Sequence, residues 1–280
     1  MATATLKSHI ERDGFCIVDG VIPANEVGAI SAEMVAAIEC NRLDSEAERA
    51  KTQSRGHRIG TPGVANLKQV INEVQSFASY LADRRVLDLV ESFFGDWVRI
   101  SCTDCVMNLP GNDRGYWHAD WPYNQTNASH IPAPYPDAVL HLSTIWMMTP
   151  FAAETGGTLV VPGSHRWPHN PASGNMPEID HEAPYPTERH VEGAAGSVLV
   201  YDSRLWHAVA PNASAEPRVG LLVRYAPWWL NLNPTLIGRP EHRAMVVETG
   251  GKNYEMVPLK RQVYERLPAD VQPLYRHWVD

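Results

Sequence analysis

The stretch Ser197-Val-Leu-Val-Tyr-Asp-Ser-Arg-Leu-Trp-His-Ala-Val-Ala-Pro-Asn-Ala-Ser-Ala-Glu-Pro-Arg-Val-Gly-Leu-Leu-Val-Arg-Tyr225 contains three short runs of apolar and β-branched residues. Asp, Ser, Pro and Asn, which favour turns, separate the runs. Runs of roughly four to eight such residues between turn-forming residues are typical of β-strands. The stretch therefore predicts three strands, at Ser197 to Tyr201, Trp206 to Val209 and Arg218 to Tyr225.

Four further runs of the same kind lie upstream in the chain. Seven short strands separated by turns predict a sandwich or barrel, because alternating βαβ units would need a helix between successive strands. The fold class is therefore mainly β with flanking helices. The upstream runs are Val98 to Leu109, Tyr116 to Trp121, Ala138 to Thr149 and Thr158 to Val161.

Helical patterns flank this predicted core. Apolar residues at helical spacing follow Pro23, and a second helix is expected between Asp83, as its N-cap, and Gly95, just past its end. We interpret residues 1–280 as one domain. Its parts are an N-terminal helical region (1–95), a core (96–230) with a lid loop (121–137), and a C-terminal extension (231–280) with helices packed on the outside.

Composition excludes several classes of protein. Of the 280 residues 44% are hydrophobic and 20% charged, which suits a protein with a packed core and excludes a disordered chain. The net charge of -8, without a cluster of Lys and Arg, argues against nucleic acid or an anionic membrane as a partner. Because the sequence lacks a long apolar run and a signal-peptide pattern, we expect a cytoplasmic protein. The expected partner is a small molecule, and the expected oligomeric state is a monomer or homodimer.

The segment Trp117-His118-Ala119-Asp120-Trp121 carries two side chains that can bind a metal ion. Positions two apart on a strand share a face, so His118 and Asp120 point the same way. Imidazole nitrogen and carboxylate oxygen together suit Fe(II). By itself the pattern fits equally well a surface histidine that is hydrogen-bonded to its neighbour.

His207 is a candidate for the third ligand. If the strands around Trp206 and Arg218 form a hairpin centred near Asn212, His207 and Arg218 lie opposite each other and share a face. Arg224 then also lies on the Arg218 face, where a core would otherwise be expected. A buried arginine needs a partner, and a bound carboxylate would serve.

These residues resemble those of the phytanoyl-CoA dioxygenase family of Fe(II)- and 2-oxoglutarate-dependent oxygenases. The resemblance rests on His118-x-Asp120, the distant His207, Arg218 eleven positions later, and the run Glu154-Thr-Gly-Gly-Thr-Leu-Val-Val-Pro-Gly-Ser-His165. It extends from about residue 14 to 225 and leaves the C-terminal extension outside.

The resemblance implies a double-stranded β-helix, the jelly-roll core that cupins share. It implies Fe(II), 2-oxoglutarate and O2 as cofactor and cosubstrates, with His118, Asp120 and His207 as metal ligands. It also implies that Arg218 binds the distal carboxylate of 2-oxoglutarate and that Thr158 assists. Asn108 and Arg58 are candidates for further contacts to the cosubstrate.

Some aromatic and polar residues are candidates for contact with substrate. Trp146, on a neighbouring strand, and Trp228, just after the last strand, are expected to line a pocket. Tyr123 and Gln125 would reach substrate from the lid loop, and Arg224 from the last strand.

The function predicted is hydroxylation, or another oxidation, of an unactivated C–H bond in a small metabolite, with 2-oxoglutarate decarboxylated to succinate and CO2. A natural product of secondary metabolism is the expected kind of substrate. Two alternatives remain at this point. One is a cupin-like metal-dependent isomerase or hydrolase that does not use 2-oxoglutarate, and the other is a non-catalytic ligand-binding β-sandwich.

Overall fold

Two antiparallel β-sheets form the centre of the protein. The computed structural model describes residues 2–54, 60–120, 131–173, 179–250 and 255–279. Within these residues the larger sheet has six strands in the order β1-β7-β4-β9-β3-β2, and the smaller has three in the order β6-β5-β8. The strands are β1 (Phe15–Val18), β2 (Val64–Leu67), β3 (Val98–Asn108), β4 (Leu142–Met147), β5 (Leu159–Val160), β6 (Arg189–His190), β7 (Val198–Asp202), β8 (His207–Ala208) and β9 (Arg218–Pro227).

Helices cover the outer face of the larger sheet. The longer ones are α1 (Thr3–Asp13), α2 (Ala24–Cys40), α3 (Arg42–Ser54) and α4 (Arg84–Phe94). The prediction for α4 is confirmed, because the Asp83 side chain accepts a hydrogen bond from Arg85 N–H and Gly95 ends the helix with φ 77°. Short helical segments α5 (Pro240–His242), α6 (Arg261–Tyr264) and α7 (Gln272–Tyr275), with a π-helical turn at Arg243–Val247, lie in the C-terminal extension.

The strand alternation divides the apolar residues between two cores. On β9, Val219, Leu221 and Val223 face outward and join the large cluster under the helices. Leu222 instead packs between the sheets with residues such as Ile145 of β4 and Val160 of β5. The two sheets therefore enclose an interior, as in a jelly roll, and the predicted fold class is confirmed.

The hairpin predicted between the runs Trp206 to Val209 and Arg218 to Tyr225, which correspond to β8 and β9, does not form. β8 pairs with β5 in the smaller sheet, whereas β9 pairs with β3 and β4 in the larger one. The Cα partner of Arg218 is Asn108, not His207. The connection crosses between sheets because Asn212, which is fully buried, donates hydrogen bonds to the carbonyls of Asn108 and Glu216 and so fastens the loop to β3.

The predicted strand at Tyr116 to Trp121 is also not a regular strand in its described part. Its backbone N–H groups bond to three separate segments: Trp117 to the His181 carbonyl, His118 to that of His207, and Asp120 to that of Ser203. Only the pair His118 and His207 forms a β-bridge. The segment still alternates, since Trp117 and Ala119 pack in a cluster outside the interior.

Strands β2 and β6 were not predicted, and β4 is shorter than the predicted run from Ala138 to Thr149. Of the helices in the described ranges, none combines the length and the apolar character that crossing a bilayer requires.

Candidate metal centre

Three ligand side chains from different segments meet between the sheets. His118 and Asp120 lie on the irregular segment after β3, and His207 begins β8. One ligand atom from each residue lies within 4.8 Å of the other two, and His207 Nε2 is 3.7 Å from Asp120 Oδ1. Two imidazole nitrogens and one carboxylate oxygen form a donor set that suits a mononuclear iron and leaves coordination positions open.

Backbone carbonyls orient the two histidine rings. Nδ1 of His118 lies 3.0 Å from the Tyr116 carbonyl oxygen, and Nδ1 of His207 lies 2.9 Å from that of Leu205. Because a carbonyl oxygen only accepts, Nδ1 carries the proton in each ring and the Nε2 lone pair remains for a metal. Burial, reinforced by the neighbouring His207, lowers the pKa of His118 to about 4, which keeps this ring neutral.

The Asp120 carboxylate accepts hydrogen bonds at both oxygens. Arg224 Nη2 donates to Oδ1 at 2.7 Å, and the hydroxyls of Ser143 and Tyr201 each donate to Oδ2 at 2.8 Å. Burial opposes ionisation of Asp120, but the guanidinium of Arg224 lowers its pKa well below the ordinary value. Asp120 is therefore charged and held in one orientation.

Arg218 and Asn108 lie side by side on the inner faces of β9 and β3. The Arg218 guanidinium is buried and lies over the Phe151 ring, 4.4 Å from its centroid. Among the described residues no carboxylate pairs with Arg218, and neither its Nε nor Asn108 Oδ1 has a hydrogen-bond partner. Burial lowers the pKa of Arg218 to about 10, so the group is still a cation at neutral pH. A buried cation of this kind fits the carboxylate of a ligand.

Other predicted site residues lie in different places. Thr158 is buried directly before β5 and, two positions before Val160, lies on the same inner face. Arg224 contacts Asp120, a contact that the sequence did not predict, and its role as a substrate contact stays a prediction. Arg58, Tyr123 and Gln125 lie outside the described residues.

Two tryptophans do not line the interior. Trp146 is buried on the outer face of β4 among the residues under the helices, because Ile145 and Met147 take the inner positions. Trp228 is 64% exposed on the surface beyond β9. Trp146 therefore does not line a pocket at the interior, contrary to expectation. Trp228 borders a separate surface cavity of about 470 Å³, away from the metal ligands. Strand alternation could have shown that Trp146 faces outward only if the pairing of β4 with β9 had been known.

A cavity of about 650 Å³ opens beside the metal ligands. His118, Tyr116, Val209 and Leu222 form its inner part. Its outer wall comes from α3 and from the C-terminal extension, which we had expected only to pack on the outside. The residues of that wall that the sequence did not single out are Asp44, Glu48, Arg49, Ile237, Glu255 and Val257.

The sequence also did not point to Ser143 and Tyr201 as partners of Asp120. Each is a polar residue at an inward position of an otherwise apolar strand. This pattern is the sequence feature from which they could have been recognised.

Comparisons with known proteins find similar sequences and folds. A sequence model of the phytanoyl-CoA dioxygenase (PhyH) family matches residues 10–220. A dioxygenase of Aspergillus fumigatus, af480, is 28% identical over 63% of this chain, and the match spans 55% of that protein. The ectoine dioxygenase of Bordetella bronchiseptica is 24% identical over 84% of this chain and 79% of its own. The crystal structure of HygX from Streptomyces hygroscopicus with nickel and 2-oxoglutarate matches with a TM-score of 0.58 at 16% identity, over 82% of this chain and 89% of HygX.

Proposed function

Because the chain belongs to the phytanoyl-CoA dioxygenase (PhyH) family, we propose that it is a mononuclear Fe(II) enzyme that uses 2-oxoglutarate and O2 to oxidise a small metabolite. The observation that carries the proposal is the combination of the His118, Asp120 and His207 triad with the buried guanidinium of Arg218, which pairs with no carboxylate among the described residues. Fe(II), when bound, would activate O2, which supplies the oxidising equivalents; one oxygen atom would enter succinate as 2-oxoglutarate loses CO2, and the other would oxidise the substrate.

The residues present fit both groups. The triad offers two imidazole nitrogens and one carboxylate oxygen to an ion, which leaves coordination positions for 2-oxoglutarate and O2. Arg218 would bind the distal carboxylate of 2-oxoglutarate with its planar guanidinium, in a bidentate pairing. Thr158, before β5 of the smaller sheet, and Asn108, on β3 of the larger sheet, would hold the same molecule by hydrogen bonds.

Arg218 separates this function from the two alternatives. A metal-dependent isomerase or hydrolase without 2-oxoglutarate has no use for a buried cation that lacks a carboxylate, and such a cation is costly to bury. A non-catalytic binding protein does not need three metal ligands whose rings are oriented by the backbone. Both alternatives leave one of the two features without a purpose.

The substrate proposed is a small molecule that enters the cavity beside His118. Its volume of about 650 Å³ is of the size that drug-sized ligands occupy. We propose that the ligand is a secondary metabolite and that an unactivated C–H bond next to the metal is hydroxylated or otherwise oxidised.

Succinate release from 2-oxoglutarate tests the proposed function. Purified protein supplied with Fe(II), 2-oxoglutarate and ascorbate should form succinate, and EDTA should abolish the reaction until Fe(II) is restored. His207→Ala should be inactive, whereas His190→Gln, a change at a half-buried histidine of β6 outside the triad, should keep the activity. A protein that binds no divalent metal and does not consume 2-oxoglutarate with any candidate metabolite would contradict the proposal.

A further inference from the structure

The two oxygens of the Asp120 carboxylate have different surroundings. Oδ2 accepts hydrogen bonds from the Ser143 and Tyr201 hydroxyls, each at 2.8 Å. Oδ1 lies closest to the metal-binding face, 3.7 Å from His207 Nε2, and there it also accepts from Arg224 Nη2 at 2.7 Å. Since each carboxylate oxygen has about two lone-pair sites, the two hydroxyls use those of Oδ2. Oδ1 is therefore the oxygen that faces a metal ion.

A chain of hydrogen bonds supports Oδ2 from behind. Because ionised Asp120 can only accept, Ser143 donates to it and must accept from Ser203, 2.8 Å away. Ser203 then accepts from His141 Nδ1 at 2.8 Å, and His141 Nε2 accepts from Ser101 at 2.7 Å. Each donor points toward Asp120, so the chain fixes the carboxylate without competing for Oδ1.

Arg224 approaches Asp120 from the larger sheet. Its Cα partners are Cys102 on β3 and Ser143 on β4, so the arginine enters the interior beside the serine that binds Oδ2. The Arg224 side chain is 12% exposed and that of Asp120 4%. Two charges this poorly solvated interact more strongly than a surface pair does.

A metal ion at the triad would have to share Oδ1 with this guanidinium. The positive charge of Arg224 neutralises the carboxylate while the metal is absent, and it repels a divalent cation that binds the same oxygen. An arginine next to a metal-binding carboxylate thus stabilises the metal-free site and weakens metal binding at the same time.

We propose that Arg224 is a positioning residue that holds Asp120 Oδ1 in the metal-free protein, shares this oxygen with the bound metal, and lowers the affinity of the site for divalent metal ions. The proposal rests on the proposed function only in taking His118, Asp120 and His207 as the metal site. It gives the metal-free protein a preformed triad, at the expense of tight binding.

The test is the affinity for Co(II) alone, measured by titration of the metal-free full-length protein. Arg224→Gln removes the charge but keeps an amide donor, and it should bind Co(II) on the order of tenfold more tightly than the wild type. Arg224→Lys keeps the charge and should stay within about threefold of the wild type. Arg204→Gln is the matched control. The Arg204 side chain is 6% exposed and pairs with Asp202, which is not a ligand, so the affinity of this variant for Co(II) should not change.

If Arg224 only stabilised the fold, both Arg224 variants should bind Co(II) more weakly than the wild type. Equal or weaker binding by Arg224→Gln overturns the proposal. If metal-free Arg224→Gln does not fold, both proteins are purified with Co(II) and its release to excess EDTA is followed. Slower release from the variant supports the proposal, and equal or faster release contradicts it. If the wild type itself binds no Co(II), the proposed function fails instead.

Discussion

The triad shows how a few backbone contacts prepare side chains for a metal. His118 and His207 each donate a hydrogen bond from Nδ1–H to the carbonyl two residues earlier in the chain. These bonds orient the rings so that both Nε2 atoms face the metal site. His118 contributes one of three ligand atoms, and burial keeps it neutral.

We expect His118→Ala to weaken Co(II) binding on the order of 100-fold or more, because two ligands remain and even loss of an outer hydrogen-bond partner costs 10–100-fold in related sites. Equilibrium titration of the metal-free protein measures this change. His190→Gln should match the wild type, since His190 lies on β6 with Nδ1 on the Gly157 carbonyl. Unchanged affinity in His118→Ala would show that the metal lies elsewhere.

Arg218 offers a second test at the same scale. Replacing its guanidinium by lysine keeps the charge but loses the planar pair of donors, and replacing it by glutamine loses the charge as well. We expect the Kd for 2-oxoglutarate, measured in the presence of Co(II), to rise about tenfold in Arg218→Lys and about 100-fold in Arg218→Gln.

Co(II) affinity without 2-oxoglutarate should change little in either Arg218 variant, since Arg218 does not contact the triad in the described residues. Equal 2-oxoglutarate affinity in wild type and Arg218→Gln would assign the carboxylate to another residue.

The two-residue period of a strand was enough to place His118 with Asp120 on one face, and Arg218 with Arg224 on one face, because it depends only on neighbours in the sequence. The hairpin assumed to bring Arg218 to His207 does not form. Ser143 and Tyr201 could not be assigned in the same way. Their contact with Asp120 depends on the pairing of β4 with β7 and on the fold of a distant segment, which no local pattern contains.

At the level of elements, the crossing between β8 and β9 decides how the triad and Arg218 are placed. A turn centred on Pro and Asn looked like a hairpin because both flanking runs are strand-like. Hydrogen bonds of Asn212 instead hold this segment as a crossing between the sheets. Its side-chain amide donates to the Asn108 and Glu216 carbonyls, and its backbone N–H donates to Asn112 Oδ1. Long-range side-chain contacts of this kind override local turn preference.

We expect Asn212→Ala to lower the free energy of unfolding by about 1–3 kcal/mol, because it removes the side-chain donor to the buried Asn108 carbonyl and the Oδ1 acceptor of the Ser214 N–H group. Urea unfolding followed by tryptophan fluorescence measures the loss. Asn41→Ala is the control, since Asn41 ends α2 on the surface and its amide donates only to the Ala37 carbonyl among the contacts seen. A loss as small as that of the control would show that the crossing is held by other contacts.

At the scale of the whole molecule, the C-terminal extension borders the cavity beside the metal site and also packs on the core. Ile237, Glu255 and Val257 border the cavity that also contains His118. Tyr275 bonds to Thr103 on β3, and Trp278 to the Ile100 carbonyl, so the extension packs directly on the larger sheet. The sequence indicated short helices there but could not show which strand they cover, because their apolar residues fit any apolar face.

The pH dependence of stability tests this packing. Burial lowers the pKa of His277 to about 3, and its ring packs against Trp278 with centroids 5.0 Å apart. In the unfolded chain a histidine titrates near pH 6.5. Between these two values the unfolded state binds a proton that the folded state does not, so the free energy of unfolding falls as the pH falls, by about 1.4 kcal/mol per pH unit.

From pH 7.5 to pH 5, His277 should therefore account for roughly 2 kcal/mol of the stability that the metal-free wild type loses. His277→Gln has no titrating group at this position, so its free energy of unfolding should fall by roughly 2 kcal/mol less than that of the wild type over the same pH range. Urea unfolding at both pH values gives the two differences, and taking differences cancels any pH-independent effect of the substitution. An equal loss in both proteins would mean that His277 binds a proton in the folded state as readily as in the unfolded one, which would contradict its lowered pKa.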